Sequence, residues 1–371
     1  MAVDRKKTRV LVVDDSAVAR RYLIDGLSDR PGIEVAGYAV NAADAREKVE
    51  LLHPDVLTLD VELPDMSGIE LLRTLLPEHR LPVILVSSLN LRVFDALAAG
   101  AVDFVRKPDG SQKKEEFLTT LAQKIRIAAA ANVRTLRPET PRGTGAAARG
   151  GGRPGREAAS AAAPAAADGP PPLLGPGPEL DRTVIGLGAS TGGTEATLEI
   201  LRRLPADIPG MVIVQHMPPG FTRMYAERLD RLCAMEVREA ADGDTVRRGL
   251  ALVAPADLQC TVVRSGTGYR VACRAGEKVS GHRPSVDVLF SSLAETVRGP
   301  MAGIILTGMG RDGASGLLSM RGAGAYTIGQ DRATSVVYGM PMAAHDVGAV
   351  QVQAPCEKIA GILLTHLRTG I

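Results

Sequence analysis

The chain has 371 residues and a mass of 38.9 kDa, too long for one domain of average size and long enough for two. Its 44 Lys and Arg nearly balance 42 Asp and Glu, and aromatics are 3% with no Trp, which excludes a polybasic nucleic-acid or membrane-surface protein and any base-stacking platform. No apolar run reaches the roughly 18 residues of a membrane span, the charged segment Met1–Arg9 holds no signal-peptide core, and four cysteines without a CxxC pattern fit a reducing cytoplasm.

Short Val/Ile/Leu-rich runs alternate with amphipathic stretches along the first third. Strands are predicted at Arg9–Val13, Ile33–Ala36, Val56–Leu59, Val83–Val86 and Val102–Val105, with helices near Val18–Leu27, Ala43–Leu51, Gly68–Leu76, Leu91–Ala99 and Glu115–Ile127. Five βα units imply a parallel sheet covered by helices on both faces. From residue 128 the composition changes. Ala128–Pro178 holds 15 Ala, 9 Gly, 9 Pro and only four of Val, Leu, Ile, Met or Phe, too little apolar surface to offset ordering entropy. Residues 128–180 are therefore read as a flexible linker spanning roughly 40 Å. Beyond it, strands at Val184–Leu187, Met211–Val214, Leu250–Val253, Gly303–Leu306 and Ala325–Thr327 predict a second doubly wound parallel α/β domain, 181–371. In such sheets the chemistry lies just past the strand ends.

In the first domain, 1–127, the first strand ends at Asp14-Asp15 and the third at Asp60. Singly, each reads as a helix cap. Together, three carboxylates at neighbouring ends suit a hard oxygen-loving cation such as Mg²⁺. Ser87 and Lys107, after the fourth and fifth strands, could hold phosphoryl oxygens. On Val-Asp14-Asp15-Ser, Leu-Asp60-Val-Glu-Leu-Pro64, Val-Ser87-Ser and Phe104-Val-Arg-Lys107-Pro108, this part resembles the receiver domain of response regulators, which are flavodoxin-like. The resemblance implies Asp60 as phosphoacceptor, Asp14, Asp15 and Asp60 around Mg²⁺, Ser87 and Lys107 as switch residues, and Phe104 as an accompanying aromatic.

In the second domain, Gly188-Ala-Ser190-Thr-Gly192-Gly193 follows a strand and precedes a helix-like stretch. The GxSxG spacing allows a tight turn that lifts a serine hydroxyl to the sheet edge. Gly186-x-Gly188 also fits a dinucleotide fingerprint, but that needs an acidic residue closing the next strand, which ends instead in Gln215-His216. His216 is thus placed as a base for Ser190. Asp312, in Thr307-Gly-Met-Gly-Arg-Asp312-Gly, is placed to orient it, and the Met309 N–H to bind an oxyanion. The order Ser…His…Asp is not that of α/β-hydrolases. His282, His345 and His366 are read as ordinary polar residues.

With Val-Gln-His216-Met-Pro-Pro-Gly, Val-Ala-Pro255, His282-Arg-Pro-Ser-Val-Asp287-Val-Leu-Phe290 and Ala333-Thr-Ser-Val-Val-Tyr-Gly-Met-Pro341, Thr183–Leu367 resembles the chemotaxis protein-glutamate methylesterase family, CheB. Arg311 and Arg332 depart from its pattern. The resemblance implies a Ser190/His216/Asp312 hydrolase for glutamyl methyl esters, and in some members for glutamine amides, that needs no cofactor for the esterase chemistry. It implies chemoreceptor helices as substrate, a histidine kinase as phosphodonor, no nucleic acid, no membrane insertion and a monomer. A receiver-controlled binding module of chemosensory arrays without catalysis, or a serine hydrolase of other esters, are the competing readings.

Overall fold

The computed structural model describes residues 7–88, 92–108, 114–133 and 171–369. The first domain runs β1 (Thr8–Val13), α1 (Ala17–Ser28), β2 (Ile33–Ala39), α2 (Ala42–Leu52), β3 (Val56–Leu59), α3 (Gly68–Leu75), β4 (Val83–Ser87), α4 (Arg92–Ala98), β5 (Asp103–Arg106) and α5 (Lys114–Ala129). Its strands form one parallel sheet in the order β2-β1-β3-β4-β5. Side chains alternate across β1, as a strand requires. Leu11 and Val13 join one core with Val49, Leu72 and Leu97, while Val10 and Val12 join the opposite one with Leu23, Leu27, Leu121 and Ile125. The helices begin where side chains satisfy their free amides: Ser16 accepts from the Ala19 N–H, Asn41 from the Asp44 N–H, and Ser67 forms a capping box with Glu70.

The second domain begins with α6 (Pro178–Arg182), β6 (Val184–Ala189), α7 (Gly193–Leu201), β7 (Gly210–Gln215), α8 (Phe221–Leu232) and β8 (Glu236–Glu239). It continues through β9 (Thr245–Val246), β10 (Leu250–Val253), β11 (Gln259–Ser265), β12 (Gly268–Arg274) and α9 (Val286–Thr296). It closes with β13 (Met301–Ile305), α10 (Ala314–Gly322), β14 (Tyr326–Gln330), α11 (Met340–Asp346), β15 (Val352–Ala354) and α12 (Cys356–Thr369). Seven parallel strands lie in the order β15-β14-β13-β6-β7-β10-β8. The chain builds outward from β6 to β7 and β10, then returns to the other side of β6 with β13. That reversal puts the topological switch point at the carboxyl ends of β6 and β13.

Both domains thus have the expected parallel α/β architecture. An antiparallel sheet of order β11-β12-β9 is additional. Its strands mix buried Cys260, Val262 and Val271 with exposed Val263, Arg264 and Arg270, so they lack the continuous apolar runs that mark parallel strands. The stretch read as linker also carries structure at both ends. Helix α5 extends to Ala129, the Asn132 N–H donates to the Val336 carbonyl at 2.8 Å, and the Leu174 and Gly175 amides donate to Asp207, each at 2.9 Å. Helix α6 opens with Pro178 in its first turn, where proline's missing N–H costs nothing, and buries Leu180 in the core. Residues 134–170 of the linker lie outside the described residues. Among the described residues no helix is long and apolar enough to cross a membrane.

The two domains pack together. Phe94 of α4 stacks with Tyr225 (ring centroids 5.7 Å apart), and Phe104 of β5 tilts against Phe221 at 4.5 Å. Arg228, paired with Glu195 at 2.7 Å, lies over the Phe94 ring.

Helix α9 lies close against the sheet because β6 has no side chain at 188. A Cβ there would come within 2.9 Å of Val286 Cγ2 and nearer still to Cγ1. Gly188→Ala is expected to destabilise the fold by about 1–3 kcal/mol, measured as a lower urea midpoint at unchanged slope.

Candidate active site

Ser190 follows β6 directly, and its backbone is fixed from three sides. Its N–H donates to the Thr307 carbonyl at 3.0 Å, and its carbonyl accepts from the Gly193 N–H at 2.7 Å and from Gln215 Nε2 at 2.8 Å. The turn onto α7 passes through Gly192 at φ +77°, a conformation that glycine adopts without a Cβ penalty. His216 follows the neighbouring strand β7, and its N–H donates to the Ala189 carbonyl at 3.2 Å. Ser190 and His216 are therefore carried on adjacent strand ends. The carboxyl end of β13 approaches from the other side: a Cβ at Gly308 would lie 2.7 Å from Ser190 Cβ.

Asp312 completes the set. Its Oδ2 lies 2.8 Å from His216 Nε2 and accepts the Val286 N–H at 2.8 Å. Its Oδ1 accepts from Ser285 Oγ at 2.7 Å and the Asp287 N–H at 3.0 Å. The carboxylate thus sits at the N-terminus of α9, where free amides and the helix dipole favour negative charge. Burial opposes ionisation, but His216 and these donors outweigh it and hold Asp312 below the usual carboxylate range. An ionised Asp312 accepts from the imidazole, so in the neutral ring Nε2 carries the hydrogen and Nδ1 the lone pair. That Nδ1 is buried and has no hydrogen-bond partner among the described residues.

The backbone at Gly308 is pinned as well. The Gly308 N–H donates to Val337, and its carbonyl accepts from the Gly339 and Met340 amides at 3.0 and 2.8 Å. Met309 follows with its side chain 48% exposed. Arg332, one departure from the expected pattern, lies over the Tyr338 ring.

Two contributions to this site escape a reading of the chain. Ser285 secures Asp312, and His282 stacks on His216, with ring centroids 3.7 Å apart and planes 8° apart. The compact spacing His282-Arg-Pro-Ser285 ahead of a helix is the one signal that could have singled them out.

A second polar cluster lies in the first domain, at the ends of β1 and β3. Carboxylate oxygens of Asp14, Asp15 and Asp60 lie within 4.8 Å of one another. Lys107 reaches both Asp14, at 2.9 Å, and Asp60. Burial disfavours the Lys107 charge, but its bonds to the two carboxylates outweigh that and raise its pKa. The Lys107 N–H also donates to the carbonyl of buried Ser87 at 2.8 Å. Phe104 is buried and faces the other domain.

The chain is 46% identical, over 96% of its length, to the "Protein-glutamate methylesterase/protein-glutamine glutaminase 2" of Syntrophomonas wolfei, 97% of which is covered. The chain belongs to the CheB methylesterase family. The family described as "CheB methylesterase" matches residues 185–363, and "Response regulator receiver domain" matches residues 10–119. The protein-glutamate methylesterase/protein-glutamine glutaminase of Syntrophotalea carbinolica is 45% identical over 96% of both chains. Among solved structures, the Thermotoga maritima CheB methylesterase catalytic domain is 34% identical, with 49% of this chain and 97% of that chain covered, at a TM-score of 0.48.

If Asp312 sets the imidazole tautomer, Asp312→Asn should lower kcat by about 10⁴-fold. The melt should stay cooperative but fall, because an amide oxygen at the Oδ1 position can still accept from Ser285 and the Asp287 N–H while the NH2 at the Oδ2 position faces the Val286 N–H, a loss of about 1–3 kcal/mol.

Proposed function

We propose that this chain hydrolyses glutamyl methyl esters on chemoreceptor helices through Ser190, His216 and Asp312, and that its receiver domain restrains the reaction until Asp60 is phosphorylated. The observation that carries the reading is the His216 ring, bonded to a buried carboxylate through Nε2 while its buried Nδ1 has no hydrogen-bond partner among the described residues, on the strand next to the one that bears Ser190. A lone pair with no internal partner is what a general base needs.

His216 Nδ1 takes the Ser190 proton as Oγ attacks the ester carbonyl. The tetrahedral oxyanion is held by the Met309 N–H, a contribution worth about 10²–10³-fold in rate. Asp312 stabilises the imidazolium. Collapse breaks the acyl–oxygen bond, and the imidazolium proton passes to methoxide, so methanol leaves. Water, deprotonated by the same nitrogen, then cleaves the acyl-enzyme to glutamate and free Ser190. A glutamine side chain would reach the same acyl-enzyme with loss of ammonia, which corresponds to the second activity in the relatives' name.

The receiver cluster suits phosphoryl transfer. Asp60 would be the phosphoacceptor and, with Asp14 and Asp15, would hold Mg²⁺, whose charge would offset that of the phosphoryl oxygens. Lys107 and Ser87 would contact the phosphoryl group, and a histidine kinase would donate it. Restraint is supported by what the receiver places beside the nucleophile. Thr191, next to Ser190, donates to Asp103 Oδ2 at 2.6 Å, and Asp103 Oδ1 pairs with Lys124 at 2.6 Å. Asp103 and Phe104 share β5 with the segment leading into Lys107, so a phosphoryl group that draws Lys107 also pulls on the domain contact. The tether between the domains sets the effective concentration for redocking.

Methanol release from methylated receptor should rise on adding a phosphodonor and Mg²⁺ and be absent in Ser190→Ala. An intact chain that binds receptor under those conditions yet releases no methanol would leave the binding-module reading standing. Asp103→Ala removes the Thr191 contact and leaves Lys124 unpaired at the seam. It should raise basal turnover toward that of a chain lacking residues 1–127, and wild-type basal rates in both would end the restraint reading.

A further inference from the structure

The imidazole of His216 lies face to face with a second imidazole, that of His282, which takes no part in the proton transfers described above. His282 closes a two-residue hairpin. The Val279 N–H donates to the His282 carbonyl at 3.0 Å, and the His282 N–H donates to the Val279 carbonyl at 2.9 Å. The two residues between them, Ser280 (φ 52°) and Gly281 (φ 84°), both have positive φ, the pattern of a tight primed turn. Gln259 clamps the chain on leaving this turn: its Nε2 donates to the His282 carbonyl at 3.3 Å, and its Oε1 accepts the Ser285 N–H at 2.9 Å. One short segment, 279–287, therefore presents a flat ring to His216 and all three α9-side donors to Asp312.

We propose that His282 is a positioning residue: its ring covers one face of the His216 imidazole, so that Nε2 stays on Asp312 and Nδ1 stays available to Ser190. A near-parallel ring with its centroid 3.7 Å away fills the space into which the imidazole would rotate, and a ring bonded only through Nε2 could otherwise swing about that bond. Two imidazoles in contact can serve this way only if the outer one is uncharged when the inner one becomes imidazolium. Burial first, then the neighbouring His216, push His282 down to about 4, with Asp312 acting in the opposite direction and Lys124 and Lys278 in the same one. His282 is accordingly neutral across the physiological range and does not repel the cation formed beside it.

The inference rests on the proposed Ser190–His216–Asp312 assignment, and the test separates the two. Full-length protein is treated with a fluorophosphonate, which reports Ser190 nucleophilicity without needing a receptor, and methanol release is followed in parallel. Labelling that persists in Ser190→Ala would overturn the triad itself. With that control silent, His282→Ala should label about 10–100-fold more slowly, the scale of a small misplacement of a reacting group. Its kcat should fall by the same factor, with KM within about twofold. His282→Phe restores a flat ring with no titratable group and should recover most of the rate. Wild-type labelling in folded His282→Ala would refute the positioning role. An equal loss in Ala and Phe variants would also refute it, since the imidazole's own chemistry would then be required. Should His282→Ala fail to melt cooperatively, His282→Leu supplies the ring-free comparison.

Discussion

A carboxylate with almost no access to water is costly unless its lone pairs are filled. Asp312 meets that condition by sitting on the first turn of α9, where a capping serine, two backbone amides and one imidazole converge on its two oxygens. Much else in the catalytic domain serves that arrangement. Helix α9 can lie there because β6 carries glycine at 188, and the chain reaches Asp312 through a turn whose next residue, Gly313, has φ +92°. An ionised Asp312 then favours the hydrogen of a neutral His216 ring on Nε2, leaving the lone pair on Nδ1, the nitrogen proposed to serve Ser190. The order of dependence runs from helix packing to carboxylate, from carboxylate to tautomer, and only then to Ser190.

The receiver reaches this machinery mainly through rings. Phe94, Phe104, Phe221 and Tyr225 form an aromatic seam, closed at one side by Arg228 and at another by the Lys124–Asp103–Thr191 chain of polar contacts. Apolar contact supplies non-directional attraction proportional to area, and the buried polar chain supplies registry. Val336 and Val337, from the segment that also pairs with Gly308, are buried in the same core as helix α5 of the receiver. The docked domain thus touches both the β6 and the β13 sides of the site.

Locality decides how much the chain discloses on its own. The placement of Asp14, Asp60, Ser87, Ser190 and His216 at strand ends, and of Asp312 in the turn after β13, is legible because a parallel sheet turns sequence position into spatial neighbourhood at one edge. Elements announced by unbroken apolar runs, such as β1 and β6, are legible for the same reason. The edge strand β8 and the antiparallel β11–β12 pair are not, because half-buried strands interleave charged residues with apolar ones. His282 is hidden for a different reason. Its partner lies on another element, so the motif His282-Arg-Pro-Ser285 is visible in the chain while the stacking of its histidine on His216 is not. Phe104 is readable as buried but not as an interface residue, since apolar composition does not say which domain supplies the contact.

Strand β5 is only four residues long, about 13 Å of extended chain, yet it carries Asp103, Phe104 and Arg106, all of which touch the hydrolase, and it ends one step before Lys107. In the proposed restraint, detector and brake therefore share a single ribbon, too short to hold a hinge between them. Drift in this ribbon cannot adjust one task while sparing the other. The strength of the brake is freer to vary on the opposite bank, at Pro219, Phe221 or Tyr225, where a change alters the grip without disturbing phosphate chemistry.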